Sequence, residues 1–156
     1  MTCYPATNGL PLGLVHTETI TTGRAIGDLV THYEYIDSTT SGATTAQIGM
    51  LSKIIESPGT VDQAVTEFDY DARGNLIAVT DPVGRITQYR YDLLNRMVGM
   101  IEPDPDAAGP LLSAATRYDY DAFGNPVATE TINSYIEDGV VSNNSTESSK
   151  RENTQL

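Results

Sequence analysis

The chain has 156 residues, 21 acidic against 9 basic side chains and a formal charge of −12, which repels phosphate backbones and excludes a nucleic-acid partner. Its single cysteine, Cys3, excludes an intramolecular disulfide framework and any multi-cysteine zinc site. No apolar run approaches the roughly 18–20 residues of a membrane-spanning helix, and Met1-Thr2-Cys3-Tyr4-Pro5 opens without the basic and apolar regions of a signal peptide. Twenty threonines and 9 tyrosines, with no tryptophan, lean the chain toward β structure, because β-branched and aromatic side chains suit a pleated surface.

Residues 1–30 form an N-terminal β segment, in which Val15-His16-Thr17-Glu18-Thr19-Ile20 alternates as a short strand does. Tyr33-Glu34-Tyr35-Ile36-Asp37 then opens a longer region, 31–141, that repeats itself. A polar loop from Ser38 to Thr45 separates this worn copy from Gly49-Met50-Leu51. The clearest copies lie between residues 68 and 131. Phe68-Asp69-Tyr70-Asp71-Ala72-Arg73-Gly74-Asn75-Leu76 returns as Tyr89-Arg90-Tyr91-Asp92-Leu93-Leu94-Asn95-Arg96-Met97. It returns again as Tyr118-Asp119-Tyr120-Asp121-Ala122-Phe123-Gly124-Asn125-Pro126. Tyr70 and Tyr91 are 21 residues apart, Tyr91 and Tyr120 29, and the extra eight fall in the Pro/Asp/Ala/Gly-rich stretch Pro103–Pro110. Residues 142–156 are polar up to Gln155 and are expected to be a disordered tail, and their charges cancel.

Each copy spells a hairpin. Asp71 and Asp121 stand at the first turn position and Gly74 and Gly124 at the fourth, the order of a type I turn closed by a left-handed residue. Asp92 begins the middle turn and Asn95 replaces the glycine, asparagine being the residue that best tolerates that region. Asp81-Pro82-Val83-Gly84 is a second kind of turn, with Pro82 where its fixed φ is already set. Leu76–Thr80 and Arg85–Tyr91 between these turns have strand length. The tyrosines recur with a spacing of two, so Tyr89 and Tyr91, or Tyr118 and Tyr120, line one side of a sheet.

Tyr70-Asp71-Ala72-Arg73-Gly74-Asn75-Leu76 followed by Asp81-Pro82-Val83-Gly84-Arg85-Ile86-Thr87 resembles the YD repeat of Rhs-family proteins. The same repeat type occurs in the C components of insecticidal toxin complexes, in bacterial wall-associated proteins and in teneurins. The resemblance implies an all-β fold, a twisted ribbon of tandem antiparallel hairpins that forms part of a hollow spiral shell. It marks Tyr70, Asp71, Gly74, Asn75, Asp81, Pro82, Gly84, Arg85, Tyr89, Tyr91, Asp92, Asn95, Tyr118, Tyr120, Asp121, Gly124 and Asn125 as repeat-motif residues. It further implies a secreted or cell-surface location, with other YD repeats of the same or a longer chain, a toxin domain or a surface glycan as partners. Three or four repeats are too few to close a shell, and Arg85-Ile86-Thr87 is the ordinary inter-repeat form rather than a cleavage segment.

Sharper chemistry finds little support in the residues. Asp119, Asp121, Gly124 and Glu130 occupy four positions of an EF-hand frame, but Phe123 and Pro126 break it, and turn-forming aspartates explain the same pattern. His16 and His32 lie in no nucleophile or metal motif, so no catalytic residue, cofactor or metal is expected and the chain reads as a non-enzyme. The tyrosines could stack sugars, although packing between successive hairpins accounts for them more simply.

Overall fold

The computed structural model describes residues 1–3, 10, 14–21, 28–106 and 113–132. The expected polar tail, 142–156, and part of the lengthened loop after Pro103 lie outside them. Two compact units divide the chain, Met1–Gly84 and Arg85–Leu156. Every regular element among the described residues is a strand, as an all-β hairpin array requires.

The first unit contains β1 (Thr2–Cys3), β2 (Val15–Ile20), β3 (Leu29–Tyr35), β4 (Leu51–Glu56), β5 (Ala64–Tyr70) and β6 (Leu76–Thr80). Each strand pairs antiparallel with the next, so the unit is a meander. The second unit repeats that plan with β7 (Ile86–Tyr91), β8 (Met97–Ile101), β9 (Ala115–Tyr120) and β10 (Pro126–Ile132).

Register assigns the faces, because directly opposed residues share one side. In the first unit Tyr33, Ile54 and Thr66 are in line across three strands, and Phe68 opposes Val79 on that same side. The reverse side carries Glu34, Lys53 and Glu67 in line. The second unit separates its chemistry similarly. Tyr89, Met100, Thr116 and Thr131 are in line on one face, and Arg90, Gly99, Arg117 and Glu130 on the other. In the second unit aromatic and charged residues therefore alternate along the strands because they belong to opposite faces, whereas in the first Glu18 and Glu56 oppose Thr31 on the Tyr33 face.

The sheet layers are thin. Leu10 and Ala115 are the buried hydrophobic residues among those described, and no large side chain is fully buried. Cross-strand pairs and ladder hydrogen bonds, rather than a closed core, hold such a sheet together. The exposed Lys53–Glu67 bridge at 2.6 Å adds little to this, since both partners remain in water.

One irregularity recurs at four hairpins. Glu34 and Tyr35 face Lys53 and Leu51; Asp69 and Tyr70 face Ala78 and Leu76; Arg90 and Tyr91 face Gly99 and Met97. Asp119 and Tyr120 likewise face Ala128 and Pro126. The returning strand thus carries one extra residue just after its turn: Ser52, Ile77, Val98 or Val127. Such a bulge re-aims side chains and tightens local twist. Val127 stands 56% exposed on β10, most of whose residues are exposed.

Candidate functional site

The repeat-motif residues converge on the hairpin turns. Asp71 N–H donates to the Asn75 carbonyl at 2.9 Å, and Gly74 N–H donates to the Asp71 carbonyl at 3.0 Å. Asp71 Oδ1 accepts the N–H groups of Arg73 and Asn75, both at 2.9 Å, while Oδ2 accepts Asn75 Nδ2 at 2.9 Å. Asp121 repeats this set with Phe123 and Asn125. One carboxylate thereby satisfies three donors that the reversing backbone and its neighbouring amide would otherwise present to water.

The middle turn keeps the geometry with a different closing residue. Asp92 Oδ1 accepts Leu94 N–H and Arg96 N–H, and Arg96 Nε bridges to Oδ2 at 2.7 Å. Asn95 takes the left-handed position at φ 60°, where Gly74 and Gly124 have φ 88° and 86°. Donors from Asn75, Arg96 and Asn125 hold the carboxyls of Asp71, Asp92 and Asp121 below the usual aspartate range. Hydrogen bonds to the ionised form have that effect.

The worn copy follows the same frame with a longer insert. Ile36 N–H donates to the Met50 carbonyl and Gly49 N–H to the Ile36 carbonyl, each at 2.8 Å. Ile36, Gly49 and Met50 therefore stand where Asp71, Gly74 and Asn75 stand in the clear copy. Asp37 instead organises the inserted loop, with Oδ1 accepting the N–H and hydroxyl groups of both Thr39 and Thr40.

Neighbouring hairpins are tied by Tyr70 in the first unit and by Tyr120 in the second. Tyr70 Oη donates to the Leu51 carbonyl at 2.9 Å and Tyr120 Oη to the Met97 carbonyl at 2.7 Å. Leu51 and Met97 begin the preceding strands, so both hydroxyls close the same point of the bulged hairpin before them. Burial pushes the Tyr70 phenol up. Tyr33 turns to a different partner, donating to Glu18 Oε2 at 3.2 Å, and burial followed by that carboxylate raises its phenol.

Contacts from one turn to the next complete the site. In the first unit Gln47 Nε2 donates to the carbonyls of Tyr70 and Asp71, and Thr44 Oγ1 to that of Ala72. Met50 lies against Gly74 so closely that a Cβ there would fall 2.6 Å from its Cε. In the second unit Arg96 covers the Tyr120 ring at 4.7 Å from the centroid, and its Nη1 faces Gly124. The sequence frame named the turn aspartates and glycines; Gln47, Met50 and Arg96 escaped it because no repeat spacing distinguishes them.

The remaining motif residues are placed separately. Gly84 closes its turn by donating to the Asp81 carbonyl at 2.9 Å with φ 84°, and Asp81 Oδ1 accepts Val83 N–H. Pro82 lies inside that turn and Arg85 follows it on the exposed surface. Asp119 pairs with Arg117, Asp121 is engaged by its own turn, and Glu130 lies opposite Arg117 across the strand pair. The EF-hand frame is thereby divided among separate partners. His16 and His32 stack on one another at 5.7 Å between ring centroids.

A meander whose recurring turns are tied to neighbouring hairpins is a repeat architecture. Residues 70–107 match the model of the RHS Repeat family. The chain is similar to the Photorhabdus luminescens Tc holotoxin pore carrying a TccC3 variant, at 18% identity and a TM-score of 0.49 over 69% of this chain and 6% of that one. It is likewise similar to the TcdB2–TccC3–TEV crystal structure, at 16% identity and 0.49 over 75% of this chain and 7% of that one. The chain thus spans a small fraction of the length of either. No curated protein matches it. Among the described residues no helix is long and apolar enough to cross a membrane.

Proposed function

We propose that the chain is a non-catalytic structural segment of an RHS-repeat protein, a short or truncated piece of a shell that encapsulates or delivers a toxin. One observation carries this reading: the motif side chains are occupied in closing their own turns and in gripping the next hairpin. Asp71, Asp92 and Asp121 have their carboxylates filled, and Tyr70 and Tyr120 have their hydroxyls bound to backbone. Such chemistry builds a wall. Its partners are other repeats of the same or a longer chain, and the cargo is a toxin domain. A secreted or cell-surface location follows from that role. Sequencing the DNA on both sides of the reading frame tests it: further Tyr-Asp repeats or a toxin-type domain are expected, and flanks with neither would sink the proposal.

A second reading, a surface module that binds carbohydrate, is favoured by the first tyrosine of each pair. Tyr89 and Tyr118 stand half-exposed on the uncharged face beside Met100 and Thr116, and neither hydroxyl is engaged as those of Tyr70 and Tyr120 are. Aromatic faces with a polar edge suit sugar stacking. Titration of sugars against tyrosine fluorescence tests this reading, with saturable binding expected to vanish in Tyr89→Ala.

A further inference from the structure

The space that a side chain at Gly74 would occupy is filled from the hairpin before it. A Cβ there would fall 2.6 Å from Met50 Cε, 3.1 Å from the Ala46 carbonyl oxygen and 3.5 Å from Met50 Sδ. The methyl end of Met50 thus sits in the niche of a missing side chain, with its sulfur and a backbone acceptor alongside. Met50 also closes the inserted loop: its N–H donates to the Gln47 carbonyl at 3.0 Å and its carbonyl accepts Ile36 N–H at 2.8 Å. Thr44 and Gln47 of that loop bond the carbonyls of residues 70–72. Met50 is half-buried, so a small solute can reach the thioether.

The donors around this niche are committed. Gly74 N–H serves the Asp71 carbonyl, Gln47 Nε2 the carbonyls of Tyr70 and Asp71, and Thr44 Oγ1 that of Ala72. An oxygen added to the sulfur is an acceptor, and it meets the Ala46 carbonyl, which is another acceptor. An acceptor held from water without a partner is costly, so the oxidised side chain turns outward and withdraws its methyl from Gly74. Oxidation converts a flexible apolar side chain into a polar one and disrupts the contacts it made.

We propose that Met50 is a peroxide-sensitive modification site whose oxidation releases the inserted loop from the Asp71 turn. The co-reactant is a hydroperoxide. A sulfur lone pair takes its terminal oxygen, the O–O bond breaks, and the hydroxyl proton passes to the departing oxygen. The thioether is thereby oxidised by two electrons to the sulfoxide, and the peroxide is reduced to water or an alcohol. Methionine sulfoxide reductases reverse the step with a dithiol as reductant, the oxygen leaving as water. Arg96 holds the corresponding place in the second unit and has no sulfur, so the release is confined to the first.

Hydrogen peroxide treatment of the full chain tests the assignment, with mass spectrometry locating the added oxygen and amide exchange reading the loop. Cys3→Ser, Met97→Leu and Met100→Leu together leave Met50 and Met1 as the sulfurs of the chain. In that chain, oxidation at Met50 should raise exchange of the Thr44 and Gly49 amides about tenfold, the loss of roughly one docking hydrogen bond. The Asp121 and Gly124 amides of the second unit should not change. Adding Met50→Leu, a volume-conserving change, should abolish the response. If that variant is itself loose, reversal of the wild-type response by sulfoxide reductases decides. A Met50 that stays unoxidised in the folded chain, a sulfoxide that leaves loop exchange unaltered, a response that survives Met50→Leu, or one that reductases fail to reverse would each overturn the proposal.

Discussion

The two units solve one problem with different residues. Each must hold a hairpin turn against the next, and in each the residue just after the left-handed position makes the reach. In the first unit that residue is Met50, which packs its thioether end on Gly74. In the second it is Arg96, which bonds its own Asp92 and covers Tyr120. Met50 arrives with a long inserted loop, and Thr44 and Gln47 of that loop add hydrogen bonds to the carbonyls of residues 70–72. Arg96 needs no insert, because its guanidinium serves the turn and the ring together. The frame of the hairpin is therefore fixed, while the clamp between hairpins is free to change chemistry.

Acid should loosen the turn frame of both units at once and have the largest effect. The carboxyls of Asp71, Asp92 and Asp121 titrate below the ordinary range in the folded chain. Their contribution is complete above the unfolded value of about 3.9 and is lost as pH falls through the lowered folded values. Circular dichroism during an acid titration should show unfolding confined to that window. A chain equally stable at pH 5 and pH 2 would contradict this role for the turns.

Glycine substitution then separates the units. Gly74→Ala places a Cβ 2.6 Å from Met50 Cε and 3.1 Å from the Ala46 carbonyl, at a φ of 88°. The left-handed conformation alone costs about 1–2 kcal/mol with a side chain, and displacing the docked loop adds to that. Gly124→Ala has the same backbone strain, but its nearest neighbour is Arg96 Nη1 at 3.8 Å. Urea unfolding should rank Gly74→Ala clearly below Gly124→Ala. Equal midpoints would mean that the end of Met50 and the Ala46 carbonyl yield to the added methyl at no cost.

Much of the hairpin was legible before any coordinates because its determinants are local. Asp71 and Gly74 specify a turn by hydrogen-bonding capacity and permitted φ, and both properties can be read from residue type. Asn95 in place of glycine marked the same left-handed site, and Val15–Ile20 declared a strand by alternation. The bulges at Ser52, Ile77, Val98 and Val127 were not legible, since nothing in an apolar or small residue announces an extra step in register. Nor was the Met50–Gly74 contact, which joins residues from different hairpins. The Tyr70 and Tyr120 hydroxyl bonds were hidden for a related reason. A period of two fixes which face a tyrosine occupies, but not which backbone carbonyl its hydroxyl meets.

Those hydroxyls offer a like-for-like test of the two units. Tyr70→Phe and Tyr120→Phe each remove one donor, leaving the Leu51 or Met97 carbonyl without it while the ring stays in place. Each should cost about 0.5–1.5 kcal/mol in denaturant unfolding. Tyr89→Phe, whose hydroxyl makes no such bond, should fall well short of either. Parity among the three would show that ring packing alone ties the hairpins.

The smallest expected effect is also the most specific. Arg96→Asn gives the Asp92 turn the closing residue that Asp71 and Asp121 already use, so an amide can replace the guanidinium at Oδ2. What the change removes is the cation over Tyr120, worth about 0.5–1 kcal/mol at a partly exposed site. Arg96→Ala loses both interactions and should fall further. Combining Arg96→Asn with Tyr120→Phe isolates what remains, because Phe keeps a ring face for the cation but not the bond to Met97. If the second clamp works as its geometry indicates, the two losses should add when the ring stays in place. Strong non-additivity would mean that Arg96 acts by orienting the Tyr120 hydroxyl rather than by stacking on its ring.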